Sequence, residues 1–304
     1  MAKCPDFPKH EEPGSLQGDR TSLSASLRGL INNPLFSDVK FIVGKERQVV
    51  HAHRCILACR CKVFNGMFSH QLQAAKTSPE NQVPFVLADI HPDVFLAVME
   101  YLYTNHATLN NIIALEVLTS AVEYGLNDLR KLCVEFISKT LTVELACEAL
   151  QAAVTYGQTD LKQKCLGFIE RFTGEIIKTQ SFRELSDLGL LSILQSDQLS
   201  IDEVLLIQAV REWAHVNSVV LEVPVSVVAL DAVKELRLFL LSPDDLTTLE
   251  KENMKDELIP ESQIAQAWKF HALKKVSETQ FHLFQRRKGT LPREHHHYLE
   301  PPSK

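Results

Sequence analysis

The sequence predicts an α+β protein that is mostly α, with a small β-sheet flanked by helices and then an all-helical domain. Strand-like alternation of apolar residues is confined to the first hundred residues. Beyond Asn110 every apolar stripe has helical spacing. A 32-residue repeat in that second region also predicts stacked helical hairpins.

Composition and charge exclude several classes of protein. The 304 residues are 45% hydrophobic and 23% charged, which suits one large or two ordinary globular cores. A net charge of -6 provides no basic field for nucleic acid. No apolar run approaches the roughly 20 residues of a membrane span, and Met1 to Gly18 lacks the apolar core of a secretory signal. Seven scattered cysteines suit reduced thiols, so we expect an intracellular protein of the cytoplasm or nucleus.

The first domain is predicted to begin after a flexible leader, residues 1–26, whose Pro, Gly, Ser and charged residues cannot repay the entropy of ordering. Leu27, Leu30 and Ile31 fall at i, i+3 and i+4, which indicates a short amphipathic helix. Alternation over 39–43 and 48–52, joined by a polar turn, predicts a β-hairpin.

Further elements of this domain follow the hairpin. From Arg54 the apolar spacing becomes helical and predicts two short helices. Residues 85–87 form a third short strand, and Pro92 suits the start of the next helix. That helix carries Phe95, Val98, Met99 and Leu102 on one face, which we assign to the core.

The repeat defines the start of the helical region. Residues 121–125 (AVEYG) recur as 153–157 (AVTYG), and Cys133 recurs as Cys165. Each copy predicts a helix, a glycine-marked turn and a second helix, so two hairpins share one apolar seam. Ser181, Ser200 and Ser242 are predicted to begin later helices as capping residues. Residues 286–304 show no apolar period and are predicted to form a flexible tail.

Several short motifs follow one another between residues 27 and 141. They are Phe36-Ser37-Asp38-Val39, His51-Ala52-His53-Arg54, Leu57-Ala58, Val63-Phe64, Met67-Phe68, Asp89-Ile90, Pro92, Phe95 and Tyr101-Leu102-Tyr103-Thr104. This order resembles the signature of BTB/POZ domains, and the resemblance implies the BTB/POZ fold for residues 27–141.

A second set of motifs lies in the helical region, which we delimit as residues 142–285. It comprises Leu185-Ser186-Asp187, Leu194, Ser196-Asp197-Gln198-Leu199, Ala209-Val210 and Trp213. It resembles the BACK helical domain that follows BTB domains. No kelch repeat and no zinc-finger spacing comes after it.

The resemblance implies a homodimer, or a heterodimer with other BTB proteins. The family packs the first helix of each protomer against the other, which would cover Leu27, Leu30 and Ile31. Asp38 and Arg54 match a paired acid and arginine beneath the dimer groove. The other reading of Asp38 is a carboxylate at a turn or helix end.

Many BTB-BACK proteins are substrate adaptors of ubiquitin ligases built on the third cullin. The resemblance places Leu72 and Tyr103 at a cullin-facing surface, and the alternative is that both are edges of the core. Such adaptors carry a hydrophobic residue, any residue and then Glu after the Met-Phe pair; here Leu72 is followed by Gln73 and Ala74. The sequence therefore favours a scaffold acting by binding, with the cullin adaptor as the alternative.

The sequence contains few residues in patterns typical of metal binding or catalysis. His51, His53, Cys55, Cys59 and Cys61 are the one dense group of metal-ligand types, but they straddle a strand-to-helix junction that would aim them apart. We therefore predict no metal. No nucleophile elbow or phosphate-binding glycine loop occurs. We expect no enzyme, no cofactor and no small-molecule substrate.

Overall fold

The computed structural model describes residues 19–75, 83–275 and 281–299. Contacts divide the chain into two compact units. The first runs through Thr108 and includes Tyr124–Leu126, and the second contains the rest. Among the described residues no helix is both long and apolar enough to cross a membrane.

The first unit is built on a three-stranded sheet in the order β2-β1-β3. β1 (Val39–Val43) pairs antiparallel with β2 (Gln48–Ala52) and parallel with β3 (Phe85–Leu87). The polar turn at 44–47 joins β1 to β2, as the alternation predicts. Val39, Phe41 and Val43 of β1 are buried because alternate side chains of a strand point to the same face.

An aromatic cluster fills the core of this unit. The Phe41 ring lies 5.1 Å from that of Phe95 and 5.7 Å from that of Phe64, between ring centroids. These separations suit tilted and edge-to-face aromatic pairs. The helices of the unit are α1 (Arg20–Arg28), α2 (Arg54–Arg60), α3 (Lys62–Ala75) and α4 (Pro92–Thr104). Most side chains of α4 are buried, so both of its faces belong to the core.

The start of the unit differs from the predicted leader of residues 1–26. Residues 1–18 lie outside the described residues, but α1 already begins at Arg20. The Asp19 carboxylate accepts hydrogen bonds from the backbone N–H groups of Thr21 and Ser22, so it caps the helix. Leu27 lies in α1, whereas Leu30 and Ile31 lie in the turn after it.

The second unit is all-helical in its described part. Its α-helices are α5 (Ala114–Glu123), α6 (Asn127–Lys139), α7 (Ala146–Thr155), α8 (Thr159–Arg171), α9 (Thr173–Ile176), α10 (Gln180–Arg183), α11 (Asp187–Leu194), α12 (Glu203–Leu221), α13 (Val225–Val228), α14 (Pro243–Asp256), α15 (Glu261–Leu273) and α16 (Phe281–Phe284). Short 3-10 helices lie at Ala232–Glu235, Leu238–Leu240 and Glu294–Tyr298.

The predicted repeat is present as two helical hairpins, α5–α6 and α7–α8, whose elements begin 32 residues apart. Gly125 and Gly157 mark the turns with φ of +67° and +62°, a conformation that favours glycine. α5 packs on α7 and α6 on α8. Because the copies pack on each other, α5 and α6 group with the second unit, although the sequence assigns them to the domain 27–141.

Of the three serines predicted to cap helix starts, only Ser242 does so in the structure. The Ser242 hydroxyl and the Asp245 carboxylate form a reciprocal capping box at α14. Thr179, not Ser181, caps α10, and Asp202, not Ser200, caps α12. The Glu203 carboxylate is fully buried and accepts a hydrogen bond from the backbone N–H of Arg237, so it cannot complete a box with Ser200.

The C-terminal segment, residues 286–299, is not the flexible tail that the sequence predicts. The Arg287 side chain is fully buried and donates to the Glu203 carboxylate at 3.0 Å and to the carbonyl oxygen of Leu194 at 2.6 Å. The backbone N–H groups of Lys288 and Gly289 donate to the carbonyls of Asp197 and Leu199. Residues 300–304 of the predicted tail lie outside the described residues.

Candidate protein-interaction surface

The surface predicted for dimerisation begins on α1. Leu27, Leu30 and Ile31 are all half-buried, so part of each side chain remains accessible. α1 is held to α4 by an ion pair between Arg28 Nη1 and Glu100 Oε1 at 2.5 Å. The Ser24 hydroxyl also donates to the carbonyl of Thr104 at 3.3 Å. These contacts fix α1 without covering its apolar residues completely.

An exposed apolar pair, Leu35 and Phe36, follows the turn in the sequence. Phe36 is 82% exposed and Leu35 is 57% exposed. Phe36 has a φ of +59°, a left-handed conformation that costs a residue with a side chain roughly 1–2 kcal/mol. The His53 ring holds this stretch through Leu35, whose carbonyl oxygen lies 3.1 Å from Nε2. A strained backbone thus presents an aromatic ring to solvent.

Asp38 and Arg54 are neighbours, but their side chains do not form the ion pair that the resemblance implies. Asp38 Oδ1 accepts a hydrogen bond from the backbone N–H of Arg54 at 2.7 Å, at the start of α2. The Arg54 guanidinium donates to the Asp38 carbonyl oxygen at 3.1 Å and to Gln71 Oε1 at 2.5 Å. Asp38 is exposed, and it satisfies an N–H group that a helix start leaves without a partner. The geometry matches the alternative of a carboxylate at a helix end.

Tyr103 is buried, which favours the alternative that it belongs to the core over a place on a cullin-facing surface. It is 4% exposed, and its hydroxyl accepts a hydrogen bond from the backbone N–H of His53 at 2.9 Å. The same oxygen lies 2.9 Å from His53 Nδ1. Burial raises the pKa of Tyr103 to about 12. The hydroxyl therefore joins α4 to the junction of β2 and α2.

Leu72 belongs to α3, but its side chain lies outside the described residues, as does that of Ala74. The role of Leu72 at a cullin surface stays a prediction.

Candidate metal ligands are not grouped in the part of the chain that the structure describes. Cys55 and Cys59 are exposed thiols, whereas Cys61 is buried. In the second unit, burial raises the pKa of the Cys133, Cys147 and Cys165 thiols to about 12, so they stay protonated near neutral pH. All six described cysteines are free.

The sequence pattern did not assign Leu35 and Phe36 to a binding surface. Phe36 was part of a motif, but apolar periodicity reports neither its exposure nor its left-handed backbone. The available signal was two large apolar residues in a row between Pro34 and Ser37, outside any strand or helix pattern.

Two family models match the chain. The BTB/POZ domain model matches residues 27–141, and the model described as BTB And C-terminal Kelch, or BACK, matches residues 146–251. Both models correspond to the regions whose motifs carry the resemblance.

Two relatives of similar length share one name, and a longer relative matches over part of its length. BTB/POZ domain-containing protein 19 of Bos taurus is 52% identical over 295 residues, covering 97% of this chain and 100% of that protein. The Homo sapiens protein of the same name is 52% identical over 285 residues, covering 94% of this chain and 96% of that protein. BTB/POZ domain-containing protein 9 of Homo sapiens is 28% identical over 199 residues, 64% of this chain and 32% of that protein. The chain therefore belongs to the family of BTB/POZ domain-containing proteins with a BACK domain, which are in general protein-interaction adaptors.

Proposed function

We propose that this protein is a dimerising scaffold of the BTB-BACK type that acts inside the cell by binding and not by catalysis. The supporting observation is that five apolar residues of the first unit, here called the apolar surface, keep part of their side chains accessible: Leu27, Leu30, Ile31, Leu35 and Phe36. Burying apolar surface drives association, and a two-fold dimer uses the same patch on both protomers. A stable interface of standard size buries about 800 Å² on each partner.

Light scattering of the purified chain tests this proposal. We expect a molar mass twice the 34.3 kDa of one chain. Phe36→Ser should lower the mass toward one chain at micromolar concentration, because the substitution removes the most exposed apolar side chain of the surface. Ile112→Ser is the matched control, since Ile112 is 84% exposed but belongs to the second unit. A wild-type chain that stays monomeric at every concentration contradicts the proposal.

A second candidate function is a substrate adaptor of a ubiquitin ligase that contains the third cullin. It is favoured by Leu72, which follows Met67 and Phe68 at the spacing of such adaptors. Ala74 in place of glutamate and the burial of Tyr103 count against it. Adding the amino-terminal domain of that cullin to the light-scattering experiment separates the two. Uptake of two cullin domains by one dimer supports the ligase adaptor, and no change in mass leaves the scaffold.

The domain limits of 27–141 and 142–285 remain part of this proposal. Partners are expected to be a second copy, or other BTB proteins, with no nucleic acid, membrane or small-molecule substrate involved. The protein should need no cofactor and no metal.

A further inference from the structure

A groove runs along α12 in the second unit, between that helix, the α9–α10 region and the C-terminal segment. Its volume is about 620 Å³, within the roughly 300–1,000 Å³ that binding sites commonly have. One stripe of α12 forms a side of it, with residues at i, i+3, i+4 and i+7: Leu205, Gln208, Ala209 and Glu212. At the 1.5 Å rise of a helix this stripe is about 10 Å long, which is the length of about three residues of extended chain. We call this cavity the α12 groove.

The floor of the α12 groove is apolar and incompletely covered. Ile177 and Ile201 line it and are buried. Leu205 and Leu291 line it as well, but they are 51% and 60% exposed. Apolar side chains left accessible in a concave site are typical of a binding surface. The groove therefore has apolar area that a bound partner can bury.

Two glycines shape the groove. A Cβ on Gly289 would lie 2.0 Å from the backbone nitrogen of Ile201, so the C-terminal segment approaches this closely because the residue is glycine. The backbone N–H of Leu291 donates to the Asp202 carboxylate at 2.8 Å, which fixes that wall. At Gly174, no described residue beyond its own helix and its chain neighbours places a heavy atom within 4 Å of a Cβ. The wall is therefore held in place while the space beside Gly174 stays open.

Two basic side chains also line the groove. Lys178 is exposed, and within the described residues it takes part in no ion pair. Arg183 Nη1 donates to the carbonyl oxygen of Lys178 at 3.3 Å and lies 3.7 Å from Glu212 Oε2, which is longer than a hydrogen bond. The Arg183 carbonyl accepts from the Asn217 side-chain amide at 2.9 Å, which fastens the end of α10 to α12. The fold thus holds two cations at the groove without pairing them tightly.

The carboxylates of the groove do not balance these cations. The Asp202 side chain is 7% exposed and lies 2.8 Å from Arg293, so its charge is already compensated. Among the described residues that line the groove, Glu212 is the one exposed carboxylate. Two accessible cations therefore face one accessible carboxylate, and the surplus charge is positive.

An apolar floor with surplus positive charge favours one kind of occupant. Carboxylates of a bound segment can pair with Lys178 and Arg183 while its apolar side chains cover Leu205 and Leu291. A basic segment would meet like charges. A purely apolar segment would cover the floor but form no charge pair with the lysine. Charge complementarity therefore points to an acidic segment with apolar side chains.

We propose that the α12 groove binds a segment of a partner protein in which aspartate or glutamate stands beside apolar side chains. The inference rests on the proposed scaffold function and deepens it by giving the chemistry of one partner. It concerns the second unit alone. A wild-type chain that stays monomeric would contradict dimerisation and leave the groove in place, and a groove that binds nothing would leave dimerisation in place.

Peptide selection on the full chain tests the inference. Random dodecapeptides displayed on phage are selected against the immobilised protein, and the recovered peptides are labelled and measured by fluorescence anisotropy. We expect enrichment of aspartate, glutamate and apolar residues over the unselected library. Raising the salt concentration should weaken binding, because exposed charge pairs are screened.

A variant that fills the groove separates this site from the rest of the surface. Gly174→Leu places a side chain in the open space and should weaken binding of the recovered peptides by about tenfold or more. Gly167→Leu is the matched control, because Gly167 also has open space at its Cβ but does not line the groove. Its affinity for the peptides should equal that of the wild type.

Charge variants give a second test that retains the shape of the floor. Lys178→Gln with Arg183→Gln should weaken binding about tenfold, as expected for the loss of two exposed charge pairs. Lys251→Gln with Lys269→Gln changes the net charge equally at exposed positions outside the groove and should leave the affinity unchanged. If Gly174→Leu lowers the thermal stability, the charge variants decide the question.

Three results overturn the inference. The first is a set of recovered peptides without acidic enrichment, and the second is equal affinity of the groove variants and the wild type. The third is a fall in the molar mass of Gly174→Leu by light scattering, with Gly167→Leu unchanged, because the occupant would then be a second copy of this chain.

Discussion

Replacing Arg287 with methionine should strongly destabilise the second unit. The Arg287 and Glu203 side chains are both fully buried and lie 3.0 Å apart. Arg287 also donates to the carbonyls of Leu194, Ser196 and Glu235. Methionine retains much of the apolar stem but leaves the Glu203 carboxylate buried without its cation.

The magnitude follows from the burial. Removing one partner of a buried ion pair costs about 3–5 kcal/mol, because the remaining charge is uncompensated. The backbone N–H of Arg237 still donates to Glu203, which favours the lower part of that range. At about 2–4 °C per kcal/mol for a unit of this size, a loss of about 3–4 kcal/mol should lower the melting temperature by roughly 6–16 °C.

Calorimetry and urea denaturation measure this loss. Lys288→Met is the matched control, because Lys288 is exposed and should shift the midpoint little. The double variant Glu203→Gln and Arg287→Met should lose less than the sum of the single variants, since it leaves no buried charge. A loss below about 1 kcal/mol for Arg287→Met would refute the view that the segment is part of the core.

Three further outcomes are expected. Asp38→Ala should lower the free energy of unfolding by about 1 kcal/mol, because the backbone N–H of Arg54 loses its acceptor. Asp38→Asn should lower it less, because the amide oxygen can still accept that hydrogen bond. Denaturant titration of the two variants measures the difference. Gly125→Ala should destabilise the protein by roughly 1–2 kcal/mol, because Gly125 has a φ of +67°. Gly167→Ala should stabilise it by about 0.5–1 kcal/mol, because Gly167 lies in α8 with open space where the Cβ would be. Thermal unfolding should show changes of opposite sign in the melting temperature. Burial lowers the pKa of His295 from 6.5 to about 4, so the folded protein binds the imidazole proton less tightly than the unfolded chain does. The stability that neutral His295 contributes is therefore fully present above pH 6.5 and is lost as the pH falls toward 4. Replacing His295 with Gln should flatten the pH dependence of the urea midpoint in that window, and an unchanged profile would contradict the assignment.

Elements with a regular apolar period could be predicted from the sequence. The hairpin of β1 and β2 follows from alternation, since neighbouring strand residues point to opposite faces. The two hairpins of the repeat follow from the recurrence of Gly125 as Gly157, both left-handed in the structure. Family motifs in the same stretches indicated the BTB and BACK domains before any contact was known.

The contacts of the site residues were less predictable, because the type of a residue does not determine its neighbours in the folded chain. Asp38 and Arg54 lie beside each other, but the carboxylate accepts from the backbone N–H of Arg54 and not from its guanidinium. Tyr103 carries a polar group, yet its hydroxyl bonds buried His53 and the ring is in the core. Phe36 is exposed and has a left-handed backbone, and apolar periodicity encodes neither feature.

The sequence by itself determined the two kinds of domain, the strands and helices with clear periods, and the repeat, because these depend on residues close together in the chain. Tertiary structure alone decided the course of the C-terminal segment. Arg287 lies in a run of basic residues typical of a solvated tail, and its partner Glu203 lies 84 residues earlier. Only folding brings the two together, and a buried charge is tolerated only where such a partner meets it.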